Sequence, residues 1–220
     1  METIEAILFE PVGCLADFPP EPFNEIAAQL FGRRNNPTKS ASRAYWHLLN
    51  LMDVSDRKLD RSEVELFEDL EVQAVKGATL YEDVVPALVE LKRMGIPLFL
   101  TSSLSEMAVA RFLEKGCDYF SAVWSRDSAE GIKDVPLRSA CEAAVVTPGR
   151  AMFLADTAEA LKTGKAAGVN AVLMMNDPDE ARRLAAHEPA GGIVSLQELP
   201  DFVRFLAAKN TERPGGLSIN

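Results

Sequence analysis

The sequence predicts an α/β fold: a Rossmann-like parallel sheet core of about five or six strands with helices on both faces, plus a small all-helical cap domain. Apolar runs of strand length alternate with helical stretches, which is typical of a parallel sheet covered by helices. One long segment, residues 18–76, has helical periodicity and no convincing strand, and it predicts the cap. The predicted strands are 4–9, 96–101, 120–125, 151–155, 171–175 and a weaker sixth, 192–195.

Helix start and stop signals lie between several of these strands. Ser103 is followed three residues later by Glu106, and Asp156 by Glu159, and both pairs resemble capping boxes. Another predicted helix covers about residues 84–94 and ends at Gly95, a residue type that favours helix ends. These signals support the alternation of strands and helices along the chain.

The predicted cap interrupts the α/β core after the first strand. We therefore predict a core formed by 1–17 and 77–208, the cap at 18–76, and a flexible tail at 209–220, where the sequence is polar. Part of the cap is basic and lacks acidic residues, so it could attract an anionic ligand, although a solvated face explains it equally well. The basic residues of this stretch are Arg33, Arg34, Lys39 and Arg43.

Charge and composition exclude several classes of partner. The net charge is −10 and the isoelectric point is about 4.8, whereas sequence-independent nucleic-acid binding needs a basic surface. The apolar runs are too short to span a membrane, and we expect no signal peptide. Cys14, Cys117 and Cys141 are odd in number and widely spaced, which fits a reducing compartment. We expect a cytoplasmic protein with no nucleic-acid or membrane partner.

Polar residues follow several of the predicted strands, at the edge where open α/β sheets bind ligands. The run Ala6-Ile7-Leu8-Phe9 opens into Glu10-Pro11-Val12-Gly13-Cys14-Leu15, and Thr101-Ser102 follows the next long run. Lys133 lies in Gly131-Ile132-Lys133-Asp134, and Asp156-Thr157 follows Met152-Phe153-Leu154-Ala155. In order and spacing, this set resembles the haloacid dehalogenase (HAD) superfamily of phosphatases and related hydrolases. The resemblance covers roughly residues 4–176.

The opening motif of that superfamily reads Asp-x-Asp-Gly-Thr-Leu, and this chain departs from it at both aspartates. Glu10 stands at the nucleophile position, and its carboxylate lies about one methylene further from the backbone than that of an aspartate. Val12 stands at the acid–base position, where a proton-transferring residue typically contributes about 10²–10⁴-fold to the rate. Valine cannot transfer a proton, so the resemblance predicts the fold more firmly than the activity.

The resemblance also implies a phosphate site and a magnesium site. Thr101, Ser102 and Lys133 match the phosphate-binding positions, although Thr and Ser also cap helices and lone lysines are commonly solvated. The implied magnesium ligands are oxygen donors, as hard cations prefer. They are Glu10, the backbone carbonyl of Val12, Asp156 and, one residue earlier than the usual second acid, Glu159.

Three functions remain open from the sequence. The first is a HAD-like hydrolase family protein that retains a phosphate and magnesium pocket but has weak or no phosphatase activity, as a pseudoenzyme would. The second is an active, magnesium-dependent phosphatase of a small phosphorylated metabolite, with Glu10 as an unusual nucleophile. The third is a non-catalytic interaction protein on the same scaffold, for example a homodimer formed through the cap.

Overall fold

The computed structural model describes residues 3–32, 37–55, 57–116, 119–175 and 178–211. Several predictions concern residues outside these ranges. They are the basic residues Arg33 and Arg34, the cysteine Cys117, and the tail from residue 212 onward. Within the described ranges, no helix is both long enough and apolar enough to cross a membrane.

A six-stranded parallel sheet forms the centre of the fold, which confirms the predicted α/β class. Its strands are β1 (Ala6–Phe9), β4 (Leu98–Thr101), β5 (Ala122–Trp124), β6 (Ala151–Ala155), β7 (Asn170–Met174) and β8 (Gly191–Ile193). Their order in the sheet is β5-β4-β1-β6-β7-β8. The central strand β1 pairs with β4 on one side and β6 on the other, where Ile7 aligns with Leu98 and Met152. Every pairing between neighbouring strands of this sheet is parallel. Because all run in one direction, their carboxyl ends share one edge of the sheet.

The central strands are apolar along their whole length because both faces of the sheet are covered. All four residues of β1 and all five of β6 are buried. Each large apolar side chain removed from water contributes about 1.5–3 kcal/mol, so these two strands make a rigid support for the residues that follow them.

Seven helices of the described chain flank the sheet or connect its strands. The first, α1, is a single turn in which Val12 and Gly13 depart from helical dihedral angles. The seven are α1 (Pro11–Cys14), α5 (Val84–Arg93), α6 (Glu106–Leu113), α7 (Asp134–Ala143), α8 (Ala158–Ala167), α9 (Pro178–Leu184) and α10 (Leu199–Thr211). The last of them extends past residue 209, where the sequence predicts the start of a tail.

Two predicted helix starts differ from the structure by one or two residues. The side chain of Ser105, not Ser103, accepts the capping hydrogen bond of α6, and Thr157, not Asp156, caps α8. Neighbouring polar residues give the same signal in a sequence, and only the path of the chain decides which of them caps the helix. The displaced residues Ser103 and Asp156 are thereby left to make other contacts.

Residues 18–76 form three helices in the described part of the chain: α2 (Glu21–Phe31), α3 (Ala41–Val54) and α4 (Arg61–Gly77). We call these three helices the helical insertion. Phe23, Leu48 and Phe67 are buried in the same apolar cluster as the sheet residues, so the insertion packs directly onto the core. A short antiparallel pair, β2 (Ala16–Asp17) and β3 (Thr79–Leu80), joins its two ends. The sequence did not predict this pair, because strands of two residues leave no periodic signal.

Candidate functional site

Three strand ends bring polar residues together at the carboxyl edge of the sheet. Glu10 follows β1, Ser102 follows β4, and Asp156 follows β6. Because β4, β1 and β6 are neighbours in the sheet, these residues surround one small region. Helix α3 of the insertion lies over this region, since Tyr45 contacts Glu10 and Ser42 contacts Asp156.

The carboxyl group of Glu10 is almost fully buried, and hydrogen bonds engage both of its oxygens. Ser102 Oγ donates to Oε1 at 2.8 Å, and Tyr45 Oη donates to Oε2 at 3.0 Å. Burial raises the pKa of Glu10 to about 8, although these hydrogen bonds act in the opposite direction. The carboxyl group at the nucleophile position therefore holds a proton more readily than an ordinary glutamate does.

Val12 is fully buried, and its backbone carbonyl faces the insertion. The hydroxyl oxygen of Ser42 lies 3.5 Å from this carbonyl oxygen. The same hydroxyl donates to Oδ2 of Asp156. Ser42 thus lies between two of the oxygens that the family resemblance assigns to magnesium.

Gly13 lies close to both the hydroxyl of Ser42 and the carboxylate of Asp156. Its φ is +82°, and a Cβ atom added there would overlap Ser42 Oγ and the Asp156 carboxylate. The conformation and the close approach both require glycine. Because Gly13 has no side chain, Ser42 and Asp156 can form their hydrogen bond directly beside the turn after β1.

We expect Gly13→Ala to lower the free energy of unfolding by about 1–3 kcal/mol more than Gly95→Ala, because only the first change adds a clash to the backbone strain. Gly95 also has a positive φ of +76°, but nothing lies within 4 Å of its added Cβ. Both variants carry a left-handed alanine, which costs about 1–2 kcal/mol. Urea unfolding measures the difference, and equal losses in the two variants would show that Gly13 is not crowded.

The last residue of β4 and the loop after it supply hydroxyl and amide groups. Thr101 Oγ1 is buried without a hydrogen-bond partner in the described structure. The backbone N–H of Ser103 donates to Tyr45 Oη at 3.0 Å. The side-chain Oγ of Ser103 accepts from the backbone N–H of Lys133 at 2.8 Å. This segment therefore contains one buried hydroxyl without a partner, and the amide of Ser103 is already used by the side chain of Tyr45.

The ammonium group of Lys133 contacts Asp53 at the end of α3, at 2.7 Å. Its side chain is 18% exposed and that of Asp53 is 56% exposed. A pair this open to solvent contributes little stability, on the order of 0–1 kcal/mol. Lys133 lies at the entrance of the site and is directed toward the insertion.

Glu159 is in the first turn of α8, at a cavity of about 370 Å³ next to the site. Thr157 forms another part of its wall. The insertion contributes Arg43, His47 and Asn50 to the same cavity. Glu159 thus lies on the α8 side of the predicted metal region and faces the insertion.

A buried ion pair fixes the insertion to the core beside this site. Arg126 Nη1 lies 2.6 Å from Glu71 Oε1, and the backbone N–H of Ser105 donates to Glu71 Oε2 at 3.1 Å. The guanidinium also lies 4.6 Å from the centre of the Phe67 ring, a cation–π arrangement. Burial raises the pKa of Glu71, while Arg126 acts in the opposite direction. The pair links α4 to the loops after β4 and β5.

Several residues of this region could not be predicted from the sequence. Glu71 and Arg126 are distant in sequence and belong to no motif, and the hydroxyls of α3 look like ordinary helix residues. The available signal was weak, because Ser42 and Tyr45 are three residues apart and share a helix face only if α3 forms. Which way that face points is decided by packing.

The residues present do not fit a magnesium ion while α3 lies as it does here. Magnesium needs oxygen ligands in near-octahedral geometry and usually retains several waters. Asp156 and the Val12 carbonyl are suitable oxygens, but the hydroxyl of Ser42 lies between them. Glu10 turns its carboxyl toward Ser102 and Tyr45. No group of three or more His, Cys, Asp or Glu side chains suited to a metal occurs in the described ranges.

The family model of haloacid dehalogenase-like hydrolases matches residues 36–174, more than half of the chain. The chain belongs to the haloacid dehalogenase-like hydrolase family. The matched range of this HAD-like chain includes Thr101, Lys133 and Asp156, but it begins after Glu10 and Val12. No curated protein sequence matches the chain.

Solved structures of HAD-like proteins share this fold. A HAD-like family hydrolase from Streptococcus pneumoniae has a TM-score of 0.68 at 17% identity, over 92% of this chain and 99% of that one. A predicted phosphoglycolate phosphatase from Haemophilus somnus has a TM-score of 0.64 at 18% identity, over the same shares of 92% and 99%. The L-2-haloacid dehalogenase of Xanthobacter autotrophicus has a TM-score of 0.60 at 17% identity, also over 92% and 99%. At such identities the likeness shows the fold alone.

Proposed function

We propose that this HAD-like protein keeps an anion-binding region at the sheet edge but hydrolyses phosphate esters weakly or not at all. The observation that carries the proposal is the chemistry at the first two motif positions. Glu10 is a buried carboxyl that Ser102 and Tyr45 both engage, and Val12 has no group that can transfer a proton. A nucleophile needs an accessible charged carboxylate, and the loss of acid–base help alone costs about 10²–10⁴-fold.

The ligand we propose for this region is a small phosphorylated molecule. Polar groups at the edge support it, namely the buried hydroxyl of Thr101, the amide of Ser103 and, at the entrance, the ammonium of Lys133. A cytoplasmic location and a homodimer stay predictions from the sequence.

One observation favours the second candidate, a magnesium-dependent phosphatase. A buried hydroxyl without a partner, such as that of Thr101, is costly unless a ligand or water satisfies it. In this candidate, Thr101 would donate to a phosphate oxygen, and Asp156 with the Val12 carbonyl would hold magnesium. It requires Glu10 to become an exposed, ionised nucleophile, and α3 to move away from the site.

Magnesium-dependent phosphate release from a broad panel of phosphate esters tests the proposal. We expect the native protein to release no more phosphate than Asp156→Asn, because neither has a competent nucleophile and acid–base pair. The double variant Glu10→Asp/Val12→Asp restores both carboxylates of the family motif and is the positive comparison. Native turnover that disappears in Asp156→Asn would overturn the proposal and favour the phosphatase.

A further inference from the structure

One face of helix α3 contacts three different loops at the carboxyl edge of the sheet. Ser42 contacts Asp156, Tyr45 contacts Glu10, and Asp53 contacts Lys133. These α3 residues are three and eight positions apart, close to one and two turns of about 3.6 residues, so they lie on the same side of the helix. We call Ser42, Tyr45 and Asp53 the α3 face.

The hydroxyl of Ser42 takes the place that a cation would need. It donates to Asp156 Oδ2 and lies 3.5 Å from the carbonyl oxygen of Val12, and these are the two oxygens best placed to ligate a metal. The side chain is buried, and the close approach of Gly13 leaves no room for a second group beside it. A bound cation and the hydroxyl of Ser42 therefore exclude each other.

The phenol of Tyr45 takes the place that an oxyanion would need. Its oxygen accepts the backbone N–H of Ser103 at 3.0 Å and donates to Glu10 at 3.0 Å. Backbone amides of such a loop are the groups that bind phosphate oxygens in other sites. At the entrance, the ammonium of Lys133 is paired with the carboxylate of Asp53, so this positive charge is also already occupied by a group of α3.

We propose that the α3 face is a built-in occupant of this site, so that a divalent cation and an oxyanion such as phosphate bind only after α3 moves away. The inference rests on the proposed function, since it explains how an anion-binding region remains closed. The side chain of Tyr45 is fully buried between the rings of Phe23 and Trp46, at centroid distances of 5.3 and 5.8 Å. Moving α3 away from the sheet edge breaks the buried hydrogen bonds of Ser42 with Asp156 and of Tyr45 with Glu10, so the closed arrangement is favoured in the absence of ligand.

Removing the two hydroxyls tests the inference. The first variant, Ser42→Ala/Tyr45→Leu, removes both hydroxyls and replaces the aromatic ring by a smaller side chain. The milder variant, Ser42→Ala/Tyr45→Phe, keeps the ring and its packing, and it is used if the first variant does not fold. The matched control is Ser62→Ala/Tyr119→Phe, which removes the same two groups away from the site. The probe is magnesium chloride with inorganic phosphate.

Thermal unfolding with and without the probe gives the first readout. At about 10 mM of each ion we expect the melting temperature of the folded site variants to rise by about 3 °C, and that of the native protein and control to rise by less than about 1 °C. Tryptophan emission in a Trp124→Phe background gives the second, because Trp46 is then the only tryptophan and lies on α3. We expect its emission to respond to the probe only in the site variants.

Equal stabilisation of the native protein and the site variants would overturn the inference, because the α3 face would then not compete with the ions. Folded site variants that show no stabilisation would also overturn it, because no ion site would lie beneath the α3 face. Phosphate release by the same preparations is measured separately. Turnover by the native protein would contradict the proposed function, whereas the comparison of ion binding alone decides whether the α3 face occupies the site.

Discussion

Arg126→Met is expected to lower the free energy of unfolding by about 3–5 kcal/mol at neutral pH, because it leaves a buried carboxylate without its counter-ion. Glu71 is 1% exposed, and Arg126 supplies its closest positive charge. Without the guanidinium, Glu71 must either stay charged in an apolar site or take up a proton, and both outcomes cost free energy. Methionine preserves much of the apolar contact of the arginine stem with Phe67, so the change mainly reports the charge.

Urea unfolding of three variants measures this effect. The double variant Glu71→Leu/Arg126→Met removes both charges and is expected to recover most of the loss, as replacements of buried ion pairs by apolar residues often do. Arg61→Met is the matched control, because it breaks an exposed pair with Glu65 and should cost less than about 1 kcal/mol. A loss at Arg126 as small as that at Arg61 would contradict the structural role of the buried pair.

The stability of the native protein is expected to fall between pH 5 and pH 8 relative to that of Glu10→Gln, by on the order of 3 kcal/mol. The folded state raises the pKa of Glu10 from its ordinary value of 4.5 to about 8, chiefly through burial. Within this window the folded protein binds a proton that the unfolded chain has released, so folding is favoured at low pH and is weakened as pH rises. Glutamine is neutral at every pH and removes this contribution.

Urea unfolding of both proteins at several pH values from 5 to 8 gives the comparison. Glu71, whose pKa is also raised, is common to both proteins, so its contribution cancels in the difference. Glu82→Gln changes an exposed carboxylate in the same way and should leave the pH profile of the native protein unaltered. Parallel profiles of the native protein and Glu10→Gln would show that Glu10 is ionised in the fold and has an ordinary environment.

These two predictions concern the same structural feature, a set of polar groups buried between the insertion and the sheet edge. Glu10 with Tyr45, and Glu71 with Arg126, are separated from water by the packing of α3 and α4. Low polarity makes each hydrogen bond there stronger and each unpaired group more costly. The insertion is therefore held to the core by apolar contact and also by these two polar contacts, which depend on the protonation of the glutamates and on the presence of Tyr45 and Arg126.

The sequence by itself determined the class of fold and the edge at which polar residues meet. Continuous apolar runs such as 151–155, alternating with helical stretches, predict a covered parallel sheet, and the predicted strand 151–155 coincides with β6. In such a sheet every strand presents its carboxyl end at the same edge. The positions of Glu10, Ser102 and Asp156 at that edge follow from the order of strands and local spacing alone.

Only the tertiary structure decided what those residues contact. The α3 face has no sequence signal that distinguishes it from other helix surfaces. Its contacts with Asp156, Glu10 and Lys133 depend on how α3 is rotated and placed. The burial that raises the pKa of Glu10 likewise comes from distant segments. Local sequence specifies which side chains share a face, but the partner of that face is set by packing over the whole chain.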